Sequence, residues 1–239
     1  MMEMWYNRMH SNSLERSAGM ELQQKINIIT GHYGSGKTNL AVNLALDARK
    51  QGKRVTVIDL DIVNPYFRTA DFAQTFAEAG IRIVLPTYAN TNLDIPALTG
   101  AVDSAFDNDD DCVIIDVGGD DAGAIALGRY APAIQAHDYA LFYVVNRYRY
   151  LTSTPEEGLA VLADIAAVSR LSPTGILNNA NLGEETTAQT VEDSLPYAEE
   201  LAAKAGLPLL CTAYDRRLGA LPVPDGYPVE IFVKKIWEP

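Results

Sequence analysis

Between residues 31 and 38 the chain reads Gly31-His-Tyr-Gly-Ser-Gly-Lys-Thr38, the spacing G-x-x-x-x-G-K-[ST], with three glycines ahead of a lysine and a hydroxyl. Glycine accepts the positive φ that lets successive amide hydrogens face one point. An apolar run, Ile26–Thr30, precedes the segment and reads as a strand, and Gly36–Gln51, carrying Leu40, Val42, Leu44 and Ala45, follows it and reads as a helix. Such a bend aims amide hydrogens and the positive end of a helix dipole at one anion, and a polyphosphate is its natural occupant. The expected contacts are Gly31, Gly34, Ser35, Gly36, Lys37, Thr38 and Asn39, with Lys37 neutralising the β and γ phosphates. The Thr38 hydroxyl is expected to take a magnesium ion that keeps most of its waters. A chance glycine-rich turn is the bland alternative, and it does not explain the flanking strand and helix.

Two further segments carry carboxylates of the kind magnesium needs. Arg54-Val-Thr-Val-Ile-Asp59-Leu-Asp61 ends a strand with acids two residues apart, which the strand period directs to one side. Cys112-Val-Ile-Ile-Asp116 is an apolar strand ending in an acid, followed by Gly118 and Gly119, which leave the backbone free to move with a γ phosphate. A strand-terminal Asp is otherwise a cap or turn residue. With a phosphate loop upstream, Asp116 and Asp59 read as magnesium ligands and Asp61 as a functional carboxylate.

These segments must be held by a common framework, and from Lys25 onward short β-branched runs alternate with longer helical stretches. Strands are expected at Ile26–Thr30, Arg54–Asp59, Ile81–Leu85, Cys112–Val117, Tyr139–Val145, Thr174–Asn178 and Pro208–Cys211. Helices are expected at Gly36–Gln51, Thr69–Ala79, Ile95–Phe106, Ala122–Ala136, Pro155–Arg170 and Thr187–Ala205. The strands are apolar throughout rather than alternating, as strands buried on two faces are. The fold class is α/β, a doubly wound, mostly parallel sheet with helices on both faces. No Gly-, Ser- or Pro-rich linker divides the chain, so residues 25–239 read as one nucleotide-binding domain after a loose extension, residues 1–24, within which Met20 offers a second start.

Composition narrows the partners. At 239 residues and 48% hydrophobic the chain can build a large core, and its net charge of -12 repels phosphate backbones and anionic lipid. Nucleic acid and membrane are therefore not expected as partners, and the cytoplasm is the expected compartment. Cys112 and Cys211 are expected as buried thiols. The acidic run Asp107–Asp111 reads as a solvated loop before a strand, with metal binding as its alternative.

Gly31-His-Tyr-Gly-Ser-Gly-Lys-Thr-Asn-Leu-Ala-Val, then Val57-Ile-Asp-Leu-Asp61, then Val113-Ile-Ile-Asp-Val-Gly-Gly119 resemble the MinD/ParA branch of P-loop ATPases, whose relatives include amidotransferase-type cobyrinate synthases. The resemblance implies ATP and magnesium as cofactors, Lys37, Asp61 and Asp116 as catalytic residues with Asp61 orienting the attacking water, and a nucleotide-dependent homodimer with an unknown protein partner. It also implies an asparagine and a Pro-containing loop at the adenine, for which Asn179 and Pro224, in Pro222-Val-Pro-Asp225, are the candidates. Many members carry a lysine just after the first glycine of the loop, where this chain has His32, and Arg68 is a candidate substitute. Asn178-Asn179-Ala-Asn181 stands where related GTPases carry Asn-Lys-x-Asp, and an amide at Asn181 accepts guanine less well than a carboxylate, which favours adenine.

The function these residues favour is a hydrolysing nucleotide switch. A synthase that uses ATP to activate a small carboxylate is the second reading, and in it Asn146-Arg-Tyr-Arg149 would hold an anionic substrate or the nucleotide. A metallochaperone GTPase is the third, with three histidines and two distant cysteines offering it little.

Overall fold

The runs Ile26–Thr30 (β1), Val55–Leu60 (β2), Cys112–Val117 (β4), Tyr139–Val145 (β5) and Gly175–Asn179 (β6) are buried along nearly their whole length, so each must be covered on both faces. In the computed structural model, which describes residues 20–61, 72–85, 95–119 and 121–232 (without the side chains of 95–99 and 121–122), they lie in one eight-stranded sheet. Arg82–Val84 (β3), Leu209–Asp215 (β7) and Gly226–Val229 (β8) complete it, in the order β3-β2-β4-β1-β5-β6-β7-β8. Every pairing is parallel.

Six helices are described: Lys37–Lys50 (α1), Ala73–Ala79 (α2), Ile95–Asp107 (α3), Asp121–Gln135 (α4), Pro155–Ser169 (α5) and Ala188–Ala205 (α6). Their ends follow local chemistry. Thr154 accepts from the Glu157 amide while the Glu157 side chain reaches back, and Pro155 takes the first helical position of α5. Gly80 and Gly206 close α2 and α6 in left-handed backbone.

Leu40, Leu44 and Ala45 of α1 and Phe76 of α2 pack with Ile29, Val57, Ile114 and Val144 on one face of the sheet. Val102 and Phe106 of α3 and Leu127 and Ile134 of α4 cover Ile28, Ile58, Ile115 and Leu141 on the other, which α5 and α6 continue over Tyr143, Val145 and Ile176. The expected doubly wound sheet with helices on both faces is the observed architecture.

Three details differ from expectation. β7 runs on through Thr212-Ala-Tyr-Asp215, and β8 forms although Gly226 and Pro228 read as turn residues; an edge strand tolerates proline. Leu22, within the stretch expected to be loose, is buried against the α1 face, and its carbonyl accepts from Lys53 Nζ. The acidic run is also knitted down: Asp111 accepts from the Arg54 amide at 2.9 Å, and Asp110 accepts from Arg82 Nη2 at 3.1 Å and from Thr56 Oγ1. Those partners sit at the amino ends of β2 and β3, which the sequence spacing does not bring together.

Candidate functional site

β1 and β4 are neighbours at the centre of the sheet, and the chain leaves the carboxyl end of β1 toward β2 on one side and that of β4 toward β5 on the other. Such a crevice is where ligands bind in open α/β sheets. Gly31 to Gly36 bend directly from β1 into α1, with Gly31 at φ 150, Gly34 at φ 74 and Gly36 at φ 92. Side chains are excluded on contact grounds as well: a Cβ on Gly31 would stand 2.3 Å from the Val144 carbonyl oxygen, and one on Gly36 would stand 2.0 Å from Asn179 Nδ2.

Lys37 is buried at the start of α1 and its Nζ donates to the His32 carbonyl at 3.1 Å, so the lysine folds back across the loop. Thr38, next along, is half-buried. Ser35 is buried; its amide donates to the His32 carbonyl at 3.2 Å, closing the turn of the loop, and its Oγ lies on the side of Gly31, 3.1 Å from where a Cβ on that residue would stand. His32 Nδ1 stands 3.1 Å from the Tyr33 carbonyl.

The carboxylates assemble beside this loop. Asp116 is register partner of Ile29 on β1 and of Asp59 on β2, and both aspartates are buried. Asp61 is buried just beyond β2, and its amide donates to Asp59 Oδ1 at 2.9 Å. One acid thus holds the backbone of the other, a positioning role that spacing alone does not reveal. Gly119 closes the group: a Cβ there would lie 2.6 Å from Tyr33 Cα and 2.7 Å from Lys37 Nζ. The loop after β4 therefore touches the phosphate loop.

Magnesium fits the donors present. No group of three or more His, Cys, Asp or Glu among the described residues is arranged to hold a metal. Magnesium asks for less, since it takes one or two carboxylates with phosphate oxygens and water. The Thr38 hydroxyl, Asp59 and Asp116 would hold it, and its charge would offset the adjacent carboxylates.

Other expected contacts are placed differently. The Asn39 amide donates to the Glu230 carbonyl at 3.0 Å and its oxygen accepts from the Phe232 amide at 2.8 Å, so this side chain holds the segment after β8 instead of facing a ligand. Asn179 is at the site, but its Nδ2 donates to the Ser35 carbonyl at 2.7 Å and braces the loop from beneath. Asn181 Oδ1 accepts from the Gly183 amide at 2.6 Å, turned into its own loop. Pro224 lies away from the phosphate loop. It enters β8 from the amino end, and β8 runs parallel to β7 with Gly226 opposite Thr212, so Pro224 sits toward the amino ends of the strands. The segment that leaves the carboxyl end of β7 is Asp215 to Leu218, with Asp215 Oδ2 accepting from Arg217 Nε at 2.6 Å. Arg68 falls outside the described residues.

Asn146-Arg-Tyr-Arg149 leaves β5 beside the loop. Arg147 donates to the Asp193 carbonyl and lies over the Tyr148 ring, with 5.7 Å to its centroid. Arg149 instead lies against Gly34, a feature no motif announces.

A parallel sheet of this order, a glycine-bent phosphate loop and carboxylates at neighbouring strand ends define a P-loop nucleotide-binding protein of the α/β class. Residues 26–182, well over half the chain, match the CobQ/CobB/MinD/ParA nucleotide binding domain, and the chain belongs to that family. Solved structures with a similar fold include the cell division protein FtsY of Thermotoga maritima, at 19% identity and a TM-score of 0.54, with 85% of this chain and 66% of that chain covered. Chloroplast FtsY from Physcomitrella patens is similar at 17% identity and a TM-score of 0.55, over 87% of this chain and 64% of that one. A nucleotide-binding protein in complex with ADP from Archaeoglobus fulgidus matches at 16% identity and a TM-score of 0.51, over 82% and 84%. The chain thus spans just under two thirds of the length of the FtsY structures. No curated protein sequence matches the chain.

Proposed function

We propose that the protein is a magnesium-dependent ATP-binding and hydrolysing switch. The observation that carries this is the contact of Gly119 with Tyr33 and Lys37, beside the paired Asp59 and Asp116. A triphosphate in the loop would meet the Gly119 segment at its γ end, so the presence or loss of one phosphate would move that segment. In hydrolysis, water adds to the γ phosphorus, the bond to the β–γ bridging oxygen breaks, and ADP and phosphate leave. Lys37 would hold the β and γ phosphates, and Asp61, fixed through Asp59, would orient the water.

Adenine is favoured over guanine because the residue in the position of the guanine-reading acid is Asn181, whose oxygen is committed to Gly183. The fold does not decide the base, since structures of similar fold carry GDP in one case and ADP in another. A nucleotide-dependent homodimer is part of the proposal. Its support is two exposed aromatic side chains, Tyr33, 61% exposed on the loop, and Tyr150, 83% exposed on the turn after β5. Among the described residues no helix is long and apolar enough to cross a membrane, in keeping with a cytoplasmic switch.

The synthase reading draws on Arg149 as an anion contact, and negligible ATP turnover until a small carboxylate is added would favour it. The test of the switch is a pair of variants assayed for nucleotide affinity and turnover. Lys37→Ala is expected to lose binding, and Asp61→Asn to keep binding and lose hydrolysis. Parental turnover in both would refute the assignment.

A further inference from the structure

The site described so far sets three carboxylates, Asp59, Asp61 and Asp116, near one lysine, and the loop must still hold a polyanion. A second cation stands against the loop. The Cδ and Nε of Arg149 lie 3.6 Å from where a Cβ on Gly34 would be, and its Cζ lies 3.9 Å away. Gly34 is at the exposed crest of the loop, so this guanidinium borders the mouth through which phosphates enter.

Its backbone is fixed there. The Arg149 amide donates to the Asn146 carbonyl at 3.1 Å, Thr152 Oγ1 donates to the same carbonyl at 3.0 Å, and Asn146 Nδ2 donates to the Asn181 carbonyl at 2.9 Å. The turn is thereby tied to the ends of both β5 and β6. The Arg149 side chain itself has no ion pair or hydrogen bond among the described residues. Its neighbour on the turn contrasts with it, because Arg147 is spent on the Asp193 carbonyl and the Tyr148 ring.

Resting on the switch reading, we infer that Arg149 supplies from within the same chain a guanidinium that binds the nucleotide's phosphates across Gly34. Arginine suits this because its charge is permanent and its planar fork matches two phosphate oxygens, neither of which a half-exposed histidine at position 32 offers. Hydrolysis then does not need a cation from a partner subunit, and a monomer retains basal turnover.

The test compares Arg149→Ala, Arg149→Lys and Arg147→Ala with the parent protein, measuring thermal midpoint, ATP and ADP affinity, and turnover with and without millimolar guanidinium ion. Arg149→Ala is expected to keep the parental midpoint, to lose about tenfold or more in turnover or triphosphate affinity, and to recover part of it with guanidinium, because removing one electrostatic contact to a phosphate has effects of that order. Arg149→Lys is expected to be intermediate, and Arg147→Ala to stay within about twofold, as a side chain spent elsewhere should. Parental values in Arg149→Ala would overturn the inference and leave the switch reading standing. A loss that guanidinium does not restore and that comes with a lowered midpoint would also overturn it, marking Arg149 as structural support. Absence of nucleotide binding by the parent would overturn both.

Discussion

Asp59 and Asp116 stand side by side on β2 and β4, partners in the parallel register and both shielded from solvent. Adjacent strands lie about 4.8 Å apart, so two negative charges are brought together where water screens them little. A divalent cation is the partner this arrangement suits. We predict that Asp116→Asn keeps nucleotide affinity within a few-fold but loses magnesium-dependent turnover by about 100-fold or more, the several kcal/mol that metal stabilisation of phosphate charge supplies. Steady-state hydrolysis across a magnesium titration checks it, and an unchanged magnesium dependence would count against the pair as a metal site.

Gly119 offers a second prediction. A side chain there would strike the Tyr33 backbone at 2.6 Å, and backbone cannot move aside cheaply. Gly119→Ala is expected to push the two loops apart, with some loss of midpoint, and to lose about tenfold or more in turnover because the loop after β4 can no longer close on the phosphate loop. Single-turnover kinetics with ATP distinguish slowed chemistry from slowed release.

Asn179 braces the loop through the Ser35 carbonyl, deep in the structure. Asn179→Ala leaves that buried acceptor without its donor and is expected to cost about 1–3 kcal/mol in denaturant unfolding. Nucleotide affinity should fall with it. A loss of affinity with no loss of stability would instead point to direct contact with the base.

The two thiols give a pH prediction. Burial pushes Cys112 up to about 11 and Cys211 up to about 12, from an ordinary value of 9.0. Both folded values are raised, so the stabilisation is complete below pH 9 and is lost as the pH climbs through the window between 9 and 11 to 12. Unfolding free energy should therefore decline above that lower limit, and native protein at mildly alkaline pH should resist alkylation at both cysteines until denaturant is added. Rapid labelling of the native protein would contradict the burial.

The sheet was legible in the sequence where strands are buried on both faces, as Cys112–Val117 and Tyr139–Val145 are, because an apolar run with sharp ends leaves little choice. β8 was hidden because Gly226 and Pro228 carry turn signals, and only its place at the sheet edge lets proline in. The phosphate loop was legible because its chemistry depends on backbone freedom at fixed spacing. Contacts between segments distant in sequence were not: Asn39 and Asn179 have side chains suited to a ligand, yet one holds Glu230 and Phe232 and the other holds Ser35. The placement of Pro224 toward the amino ends of the strands follows from β8 running parallel to β7, a direction that nothing in its sequence neighbours tells.

Titration calorimetry with magnesium ATP on the parent protein and on Lys37→Ala tests the central claim most directly. A binding isotherm for the parent that is abolished by the substitution, with magnesium GTP competing weakly, is the expected result. No heat of binding in the parent, or equal affinity in the variant, would contradict a loop built to hold a triphosphate.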